Sequence, residues 1–291
     1  MRRCGVPRHG AADLYADPRL YELAFSYRDI PHEVDVLEAW YQRRRGGRPH
    51  RVLELAAGPA AHAIEFARRG ATATALDASA AMCAYATRRS RDEGVALDVV
   101  EGDMVRFRLR RRFDLAVVML DSASHVLDLD AMVSHLRSVG THLVPGGLYV
   151  MEMSHPADFL AGSPETPATH MTPAPPMTQS RWRLTRGPGR VDVRFTSPPR
   201  CFDPATQVTE SRISVRVTEE GCQRVLRGRV ALRRWTAVEL DAAARLAGNV
   251  RVVQRYGSFD VDGPFGAGHP TEWRMISVLE RTDERTAERT D

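Results

Sequence analysis

The stretch that decides the fold is residues 51–77, RVLELAAGPAAHAIEFARRGATATALD. An apolar run, a turn of small residues and a segment with helical spacing lead into a second apolar run. The pattern continues in VALDVVEGD, FDLAVVMLDS and LYVMEMSH, with a helix predicted from Leu129 to His142. Strands that alternate with helices of about ten to fifteen residues indicate a parallel, doubly wound α/β sheet.

The flanking segments predict further parts of the chain. Residues 11–45 carry leucines and aromatics at helical spacing with a break at Ile30-Pro31, which predicts two helices. A proline-rich loop follows the last parallel strand, and residues 181–234 alternate like an antiparallel layer. We therefore expect a helical lid at 1–45, the core at 46–160, a loop with an antiparallel β insertion on the acceptor side at 161–234, closing elements of the core at 235–281 and a disordered tail at 282–291.

The composition, 43% hydrophobic and 27% charged, is that of an ordinary globular enzyme. A formal charge of +4 on 291 residues is weak, so neither nucleic acid nor a membrane is an expected partner. The chain has no lysine, which excludes Schiff-base and Walker-lysine mechanisms. Four dispersed cysteines indicate neither a disulfide framework nor a metal site, and no apolar run is long enough for a membrane span. A cytoplasmic protein is expected.

The turn after the first strand is suited to a ligand that lies against backbone amides at a helix start. Gly58 is its single glycine and is followed by Pro59, whereas a dinucleotide fingerprint needs three glycines. An NAD site is therefore disfavoured.

Three acids end successive predicted strands, at the edge where open α/β sheets bind ligands. Asp77 is placed to accept both hydroxyls of a ribose, and Asp103 to accept an adenine amino group with Met104 against the ring. Glu54 is expected to hold an ammonium group, directly or through water, or to bind the turn's own amides. Together they favour a nucleoside that bears an amino acid.

The motifs LELAAGPA, ALDAS, EGDM, FDLAVVMLDSASH and LVPGGLYVMEM resemble those of class I S-adenosylmethionine-dependent methyltransferases. The likeness covers residues 51–155 and the closing strands, and is greatest to actinobacterial small-molecule enzymes of the sugar and glycine N-methyltransferase type. It implies a Rossmann-like seven-stranded sheet whose last strand is antiparallel. The sequence departs from the family pattern at Ala56 and Ala60, which stand where the family has glycines. Alanine is small enough to keep this turn unless φ must be positive there.

The resemblance implies S-adenosylmethionine as cofactor and S-adenosylhomocysteine as product. The cofactor contacts it implies are Tyr21, Arg28, Glu54, Ala56, Gly58, Asp77, Ala78, Met82, Asp103, Met104, Leu120 and Ser122. An amine or hydroxyl nucleophile must lose a proton, and His125 is the first candidate base because imidazole titrates near neutral pH. His155 is the second, and Tyr27 of the predicted lid is the third catalytic candidate.

The expected function is methyl transfer to a nitrogen or oxygen of a small metabolite. Enzymes that methylate exocyclic base nitrogens carry Asn or Asp, Pro-Pro and an aromatic after strand four, which DSASH does not match. Two alternatives stay open: an enzyme that uses the same cofactor without methylation, for example by cyclising it, and a non-catalytic cofactor-binding module. A homodimer also stays open. The arginine-rich run RFRLRRRF from Arg106 is interpreted as a solvated turn, not a polyanion site.

Overall fold

A computed structural model describes residues 14–156, 179–186, 189–196, 202–219, 222–263, 265–266 and 272–282. These residues fall into two compact units. The larger unit contains residues 29–156 and 235 onward, and the smaller contains residues up to 28 together with those of 157–234 that are described.

The larger unit is built on a seven-stranded sheet. Its strands are β1 (Arg51–Leu55), β2 (Thr72–Asp77), β3 (Leu97–Glu101), β4 (Phe113–Val118), β5 (Leu143–Ser154), β11 (Val250–Tyr256) and β12 (Arg274–Arg281). Their spatial order is β11-β12-β5-β4-β1-β2-β3. Strands β1 to β5 pair in parallel, and β12 pairs antiparallel with both β5 and β11. The order reverses at β1, between the halves that lead to β2 and to β4, and such a switch point is where doubly wound sheets bind ligands.

Helices connect these strands: α2 (Ile30–Arg45), α3 (Ala61–Arg68), α4 (Ala80–Asp92), α5 (Leu129–His142) and α6 (Ala237–Ala247). Side-chain caps fix several starts, as Ser79 does for α4 and Asp128 for α5. Thr236 and Glu239 form the predicted capping box of α6. Helix α2 begins at Ile30 with Pro31 in its first turn, which confirms the predicted break.

Two hydrophobic layers cover the sheet. On one face, α5 and α6 pack on apolar residues of β1, β4, β5 and β12 around Phe113, Leu136 and Trp235. On the other, Val34, Leu37 and Trp40 of α2 pack on alternate residues of the same strands. Burial on both faces explains why these strands are continuously apolar in sequence.

The smaller unit contains α1 (Pro18–Ala24) and an antiparallel sheet. Its strands are β6 (Gln179–Arg186), β7 (Gly189–Thr196), β8 (Phe202–Asp203), β9 (Val208–Glu219) and β10 (Cys222–Arg233), in the order β10-β9-β7-β6 with β8 beside β9. Leu20 and Ala24 of α1 pack against valines and isoleucine on one face of β7 and β9. An antiparallel sheet buried on one side has this alternating pattern.

The predicted fold class is confirmed: a Rossmann-like seven-stranded α/β sheet whose last strand, β12, is antiparallel, with a late antiparallel β insertion. The residues of the predicted lid, 1–45, are divided between the units: α1 belongs to the smaller and α2 to the larger. Most of the proline-rich loop and of the tail lies outside the described residues. Among those that are described, no helix combines the length and apolar character needed to cross a bilayer.

Candidate active site

The turn between β1 and α3 has the left-handed shape of a glycine-rich turn although alanine takes two of its places. Ala56, Gly58 and Ala60 have φ values of 48°, 53° and 58°. Alanine was expected to keep this turn unless φ had to be positive, and φ is positive at both Ala56 and Ala60. The turn is kept at the expense of strain, since an L residue in this region is disfavoured by about 1–2 kcal/mol. Strained backbone is often found at functional sites.

Asp77, at the end of β2, closes this turn. Its carboxylate accepts the amide of Gly58 at 2.7 Å and that of Ser79 at 2.8 Å. Burial raises the pKa of Asp77, and the two amides oppose that effect. The carboxylate is thus held in one orientation by backbone donors, and each oxygen keeps a lone pair for a hydroxyl. This geometry fits the predicted ribose contact, which stays a prediction.

A buried ion cluster lies behind the turn and was not predicted. His62 on α3 places Nε2 2.8 Å from Glu33 of α2 and Nδ1 3.2 Å from Glu54 of β1. Burial alone would lower the pKa of His62, but the two carboxylates outweigh it and raise the pKa to about 9. Both ring nitrogens therefore donate, and an imidazolium joins α2 to the strand before the turn.

Glu54 also accepts the amide of Ala63 at 2.7 Å through its other oxygen. The predicted contact was with the turn's own amides, whereas the amide that Glu54 accepts belongs to α3. Contact with an ammonium group stays a prediction.

The segment after β3 carries the predicted adenine residues and is held by side chains of α5. Asp103 accepts the amide of Val105 at 2.8 Å, which forms a tight local turn. His135 donates from Nδ1 to the carbonyl of Met104 at 2.7 Å and accepts the Tyr149 hydroxyl at Nε2 at 2.6 Å. Burial lowers the pKa of His135 to about 4, so the ring is neutral and can play both roles.

A second strained turn follows β4. Leu120 and Asp121 have φ values of 56° and 61°. The Leu120 amide donates to Glu152 at 2.7 Å, and Glu152 is fully buried beside Arg274 at 3.1 Å. Asp121 accepts the amide and hydroxyl of Ser154. Glu152 of β5 and Asp121 of the turn itself thus fasten the turn to β5. The turn leads into the 3-10 helix Ser122–His125.

The two candidate bases stand in different surroundings. Burial lowers the pKa of His125, against opposing effects of Asp121 and Asp77, so His125 is neutral at pH 7. His125 ends the 3-10 helix that follows β4, so it lies at the same sheet edge as Asp77, the last residue of β2. His155 has Nε2 3.0 Å from the carboxylate of Glu272, to which it donates.

The remaining predicted residues lie in three places. Ala78 is exposed beside Asp77, Met82 is buried in the first turn of α4, and Ser122 begins the 3-10 helix. Tyr21, Tyr27 and Arg28 belong to the smaller unit. There Tyr21 packs on Phe25, and Tyr27 meets Trp182 edge-on at 5.9 Å. The structure thus gathers the core residues at the carboxyl edge of the parallel strands, and the roles of the lid residues stay predictions.

Comparison with known proteins agrees with this geometry. A family profile described as a methyltransferase domain matches residues 52–147, about a third of the chain. These residues form a class I methyltransferase domain. Its methyl donor is S-adenosylmethionine, the cofactor expected from the sequence.

Two similar proteins come from Streptomyces. The chain is 31% identical over 134 residues to a dTDP-3-amino-3,6-dideoxy-alpha-D-glucopyranose N,N-dimethyltransferase of Streptomyces fradiae, covering 46% of this chain and 51% of that protein. It is 27% identical over 149 residues to the cypemycin N-terminal methyltransferase of a Streptomyces species, covering 50% of this chain and 60% of that protein. The chain therefore aligns with only about half the length of these relatives.

The solved structure of an S-adenosylmethionine-dependent methyltransferase from Clostridium acetobutylicum shares the fold, with a TM-score of 0.71 at 14% identity. The superposition covers 90% of this chain and 96% of that one.

Three supporting residues of the larger unit were not predicted: His62, His135 and Glu152. His62 is visible in the sequence at the fourth residue after Gly58, in the first turn of the helix, but its partner Glu33 is 29 residues away. His135 bonds the Met104 carbonyl and Glu152 bonds the Leu120 amide. Both partners are backbone atoms of loops distant in sequence, and no sequence pattern indicates such contacts.

Proposed function

We propose that this protein transfers a methyl group from S-adenosylmethionine to an amine nitrogen of a small molecule. The observation that carries the proposal is the carboxyl edge of the sheet, where an oriented Asp77 closes a left-handed turn and His125 ends the 3-10 helix after β4. The names of both relatives, which specify N-methylation of an amino sugar and of a peptide N-terminus, support nitrogen over oxygen.

The residues present fit the donor. Asp77 offers a fixed carboxylate to the ribose, and the segment at Asp103 and Met104 offers a polar and an apolar contact to adenine. The donor supplies a methyl group already activated on a sulfonium. The protein's task is therefore to align a nucleophile and exclude water, and alignment alone contributes up to roughly 7–11 kcal/mol.

An aliphatic amine is mostly protonated at pH 7 and must lose a proton before it can attack. His125 is suited to take it because its lowered pKa keeps the imidazole neutral. His155 is the alternative base, since its Nε2 lies 3.0 Å from the carboxylate of Glu272, which orients the ring. The proposal includes the predicted division of the chain, with the cofactor core at 46–160, the acceptor side at 161–234 and the lid at 1–45. It also includes cofactor contacts by Tyr21 and Arg28 and a catalytic role for Tyr27.

The test is an acceptor screen with the full chain and S-adenosylmethionine. A dTDP-linked amino sugar and a short peptide with a free amino terminus are compared with their N-acetylated counterparts, and products are identified by mass spectrometry. We expect S-adenosylhomocysteine and methylated product from a free amine, and neither from its acetylated control. Methylthioadenosine without methylated product contradicts methyl transfer, and equal methylation of a hydroxylated analogue contradicts the choice of nitrogen.

Variants separate the two bases. His125→Ala is expected to lower turnover at pH 7 and to shift the activity profile to higher pH, where the amine deprotonates unaided. S-adenosylhomocysteine affinity serves as the control and should be unchanged. If His155→Ala or Glu272→Gln produces that shift and His125→Ala does not, His155 is the base.

A further inference from the structure

The arginine-rich run after β3 is a solvated turn, as predicted, because Arg106, Arg108, Arg110, Arg111 and Arg112 are all exposed. Four arginines of this run, Arg108, Arg110, Arg111 and Arg112, line a cavity of about 870 Å³ together with the last turn of α5. Phe107 and Leu109 alternate with Arg108 and Arg110 and pack on the core. Arg111 and Arg112 follow directly, and all four arginines are exposed around the cavity.

The backbone of this run is anchored. The two residues before it are bound to α5, because the Met104 and Val105 carbonyls accept hydrogen bonds from His135 and Ser138. Further along, the Leu109 amide donates to Nε2 of His142 at 2.9 Å. His142 in turn donates from Nδ1 to the Ser138 carbonyl at 2.6 Å.

The side chains anchor it as well. The Phe107 ring packs on the His142 imidazole with 4.6 Å between ring centroids. The backbone on either side of Arg108 is therefore held in place before any ligand binds, which lowers the entropic cost of binding.

The positive charge of the cavity is incompletely compensated. Within the described part of the chain, the structure gives these four arginines one ion pair, Arg111 with Asp98 at 3.1 Å. The next acid along the chain, Asp114, is engaged by the amides of His50 and Arg51. An excess of three positive charges thus surrounds one cavity. Since all bases of this protein are arginine, the density of the cluster, not the choice of arginine, is the informative feature.

The cavity lies at the opposite end of the sheet from the candidate active site. Arg112 immediately precedes β4 and His142 immediately precedes β5, so both stand at the amino edge of the parallel strands. Asp77 is the last residue of β2, and His125 ends the 3-10 helix after β4, so both lie at the carboxyl edge. The six residues of β4 separate the two edges by roughly 20 Å. A ligand here is therefore neither the methyl donor nor its acceptor.

We propose that this arginine-lined cavity binds a linear polyphosphate anion, either inorganic or as the phosphate chain of a nucleotide. Guanidinium groups match phosphate oxygens with paired hydrogen bonds, and three to four negative charges on one chain balance the excess. Phe107 and His142 at the wall pack on each other, so the arginines are the groups that would recognise the phosphate chain.

The test is calorimetric titration of the full chain with tripolyphosphate and with uridine triphosphate, each with and without saturating S-adenosylhomocysteine. We expect both to bind and S-adenosylhomocysteine not to compete. Equal affinities assign the site to the phosphate chain alone, and tighter binding of the nucleotide assigns it to a nucleotide.

A matched pair of variants locates the site. Arg108→Gln/Arg110→Gln/Arg112→Gln should weaken binding by about tenfold or more, because several charge-assisted bonds are lost. Arg88→Gln/Arg91→Gln/Arg245→Gln removes the same charge from exposed arginines elsewhere on the unit and should change affinity by less than about twofold. Melting temperatures verify that both variants fold.

Three results would overturn the proposal: no binding to the folded protein, equal loss in both variants, or competition by S-adenosylhomocysteine. Binding of a DNA duplex without binding of tripolyphosphate would also overturn it, in favour of a nucleic-acid surface.

Discussion

Replacing Ala56 by glycine measures the strain in the turn that defines the candidate active site. Ala56 has φ 48°, a conformation that disfavours an L residue by about 1–2 kcal/mol. Glycine relieves that strain but loses more chain entropy on folding, about 0.4–1 kcal/mol. Ala56 is only partly buried, so little packing is lost. We expect Ala56→Gly to stabilise the protein by about 0.5–1 kcal/mol.

Two neighbouring alanines supply the comparison. Ala60 is also left-handed but fully buried, so Ala60→Gly forfeits a methyl group worth about 0.8 kcal/mol and should be close to neutral. Ala57 is buried and its φ is not positive, so Ala57→Gly should destabilise by about 1–2 kcal/mol. Urea unfolding followed by circular dichroism gives all three values. The reasoning is refuted if Ala56→Gly destabilises the protein as much as Ala57→Gly does.

Three further predictions concern the groups that hold the site. Because the pKa of His62 is raised to about 9 in the folded protein, its stabilising effect is complete below its ordinary value near 6.5 and is lost as pH rises through about 9. Melting temperature should fall over that range in the wild type, and a parallel fall in His62→Gln would show that the ion cluster is not the cause. His135→Leu frees the Met104 carbonyl and should weaken S-adenosylhomocysteine binding as well as stability; an affinity equal to that of the wild type in calorimetry would sink the positioning role. Glu152→Gln weakens the hydrogen bond from the strained Leu120 amide and should lower turnover more than cofactor affinity. Steady-state kinetics and calorimetry measure the two effects, and an equal loss in both would contradict this prediction.

The sequence predicted most of the fold because local patterns determine it. Helix α5 spans the predicted Leu129 to His142, and the capping box at Thr236 and Glu239 begins α6 as expected. Strand β5 begins at Leu143, ahead of the predicted turn at Pro145, Gly146 and Gly147, where Gly146 has φ 70° and the pairing with β4 is irregular. The predicted lid was divided because α2 has an apolar face that packs on the sheet, a fact that helical spacing alone does not reveal.

The candidate site was predictable only where its residues end strands. Asp77 and Asp103 follow from that rule, and the structure places them at one edge. The cluster of His62 with Glu33 was not predictable, because the partner comes from a helix distant in sequence and the contact exists only after packing. The same holds for the bond from His135 to a backbone carbonyl.

The most direct test of the central claim is calorimetric titration of the purified protein with S-adenosylhomocysteine, with NADH for comparison. We expect micromolar binding of S-adenosylhomocysteine alone. Asp77→Ala should weaken it by about tenfold to a hundredfold, since hydrogen bonds to a charged group contribute roughly 1.5–3 kcal/mol each. Asp92→Ala, an exposed acid at the end of α4, should bind like the wild type. Absence of binding to the folded wild type, or unchanged affinity in folded Asp77→Ala, would contradict the account.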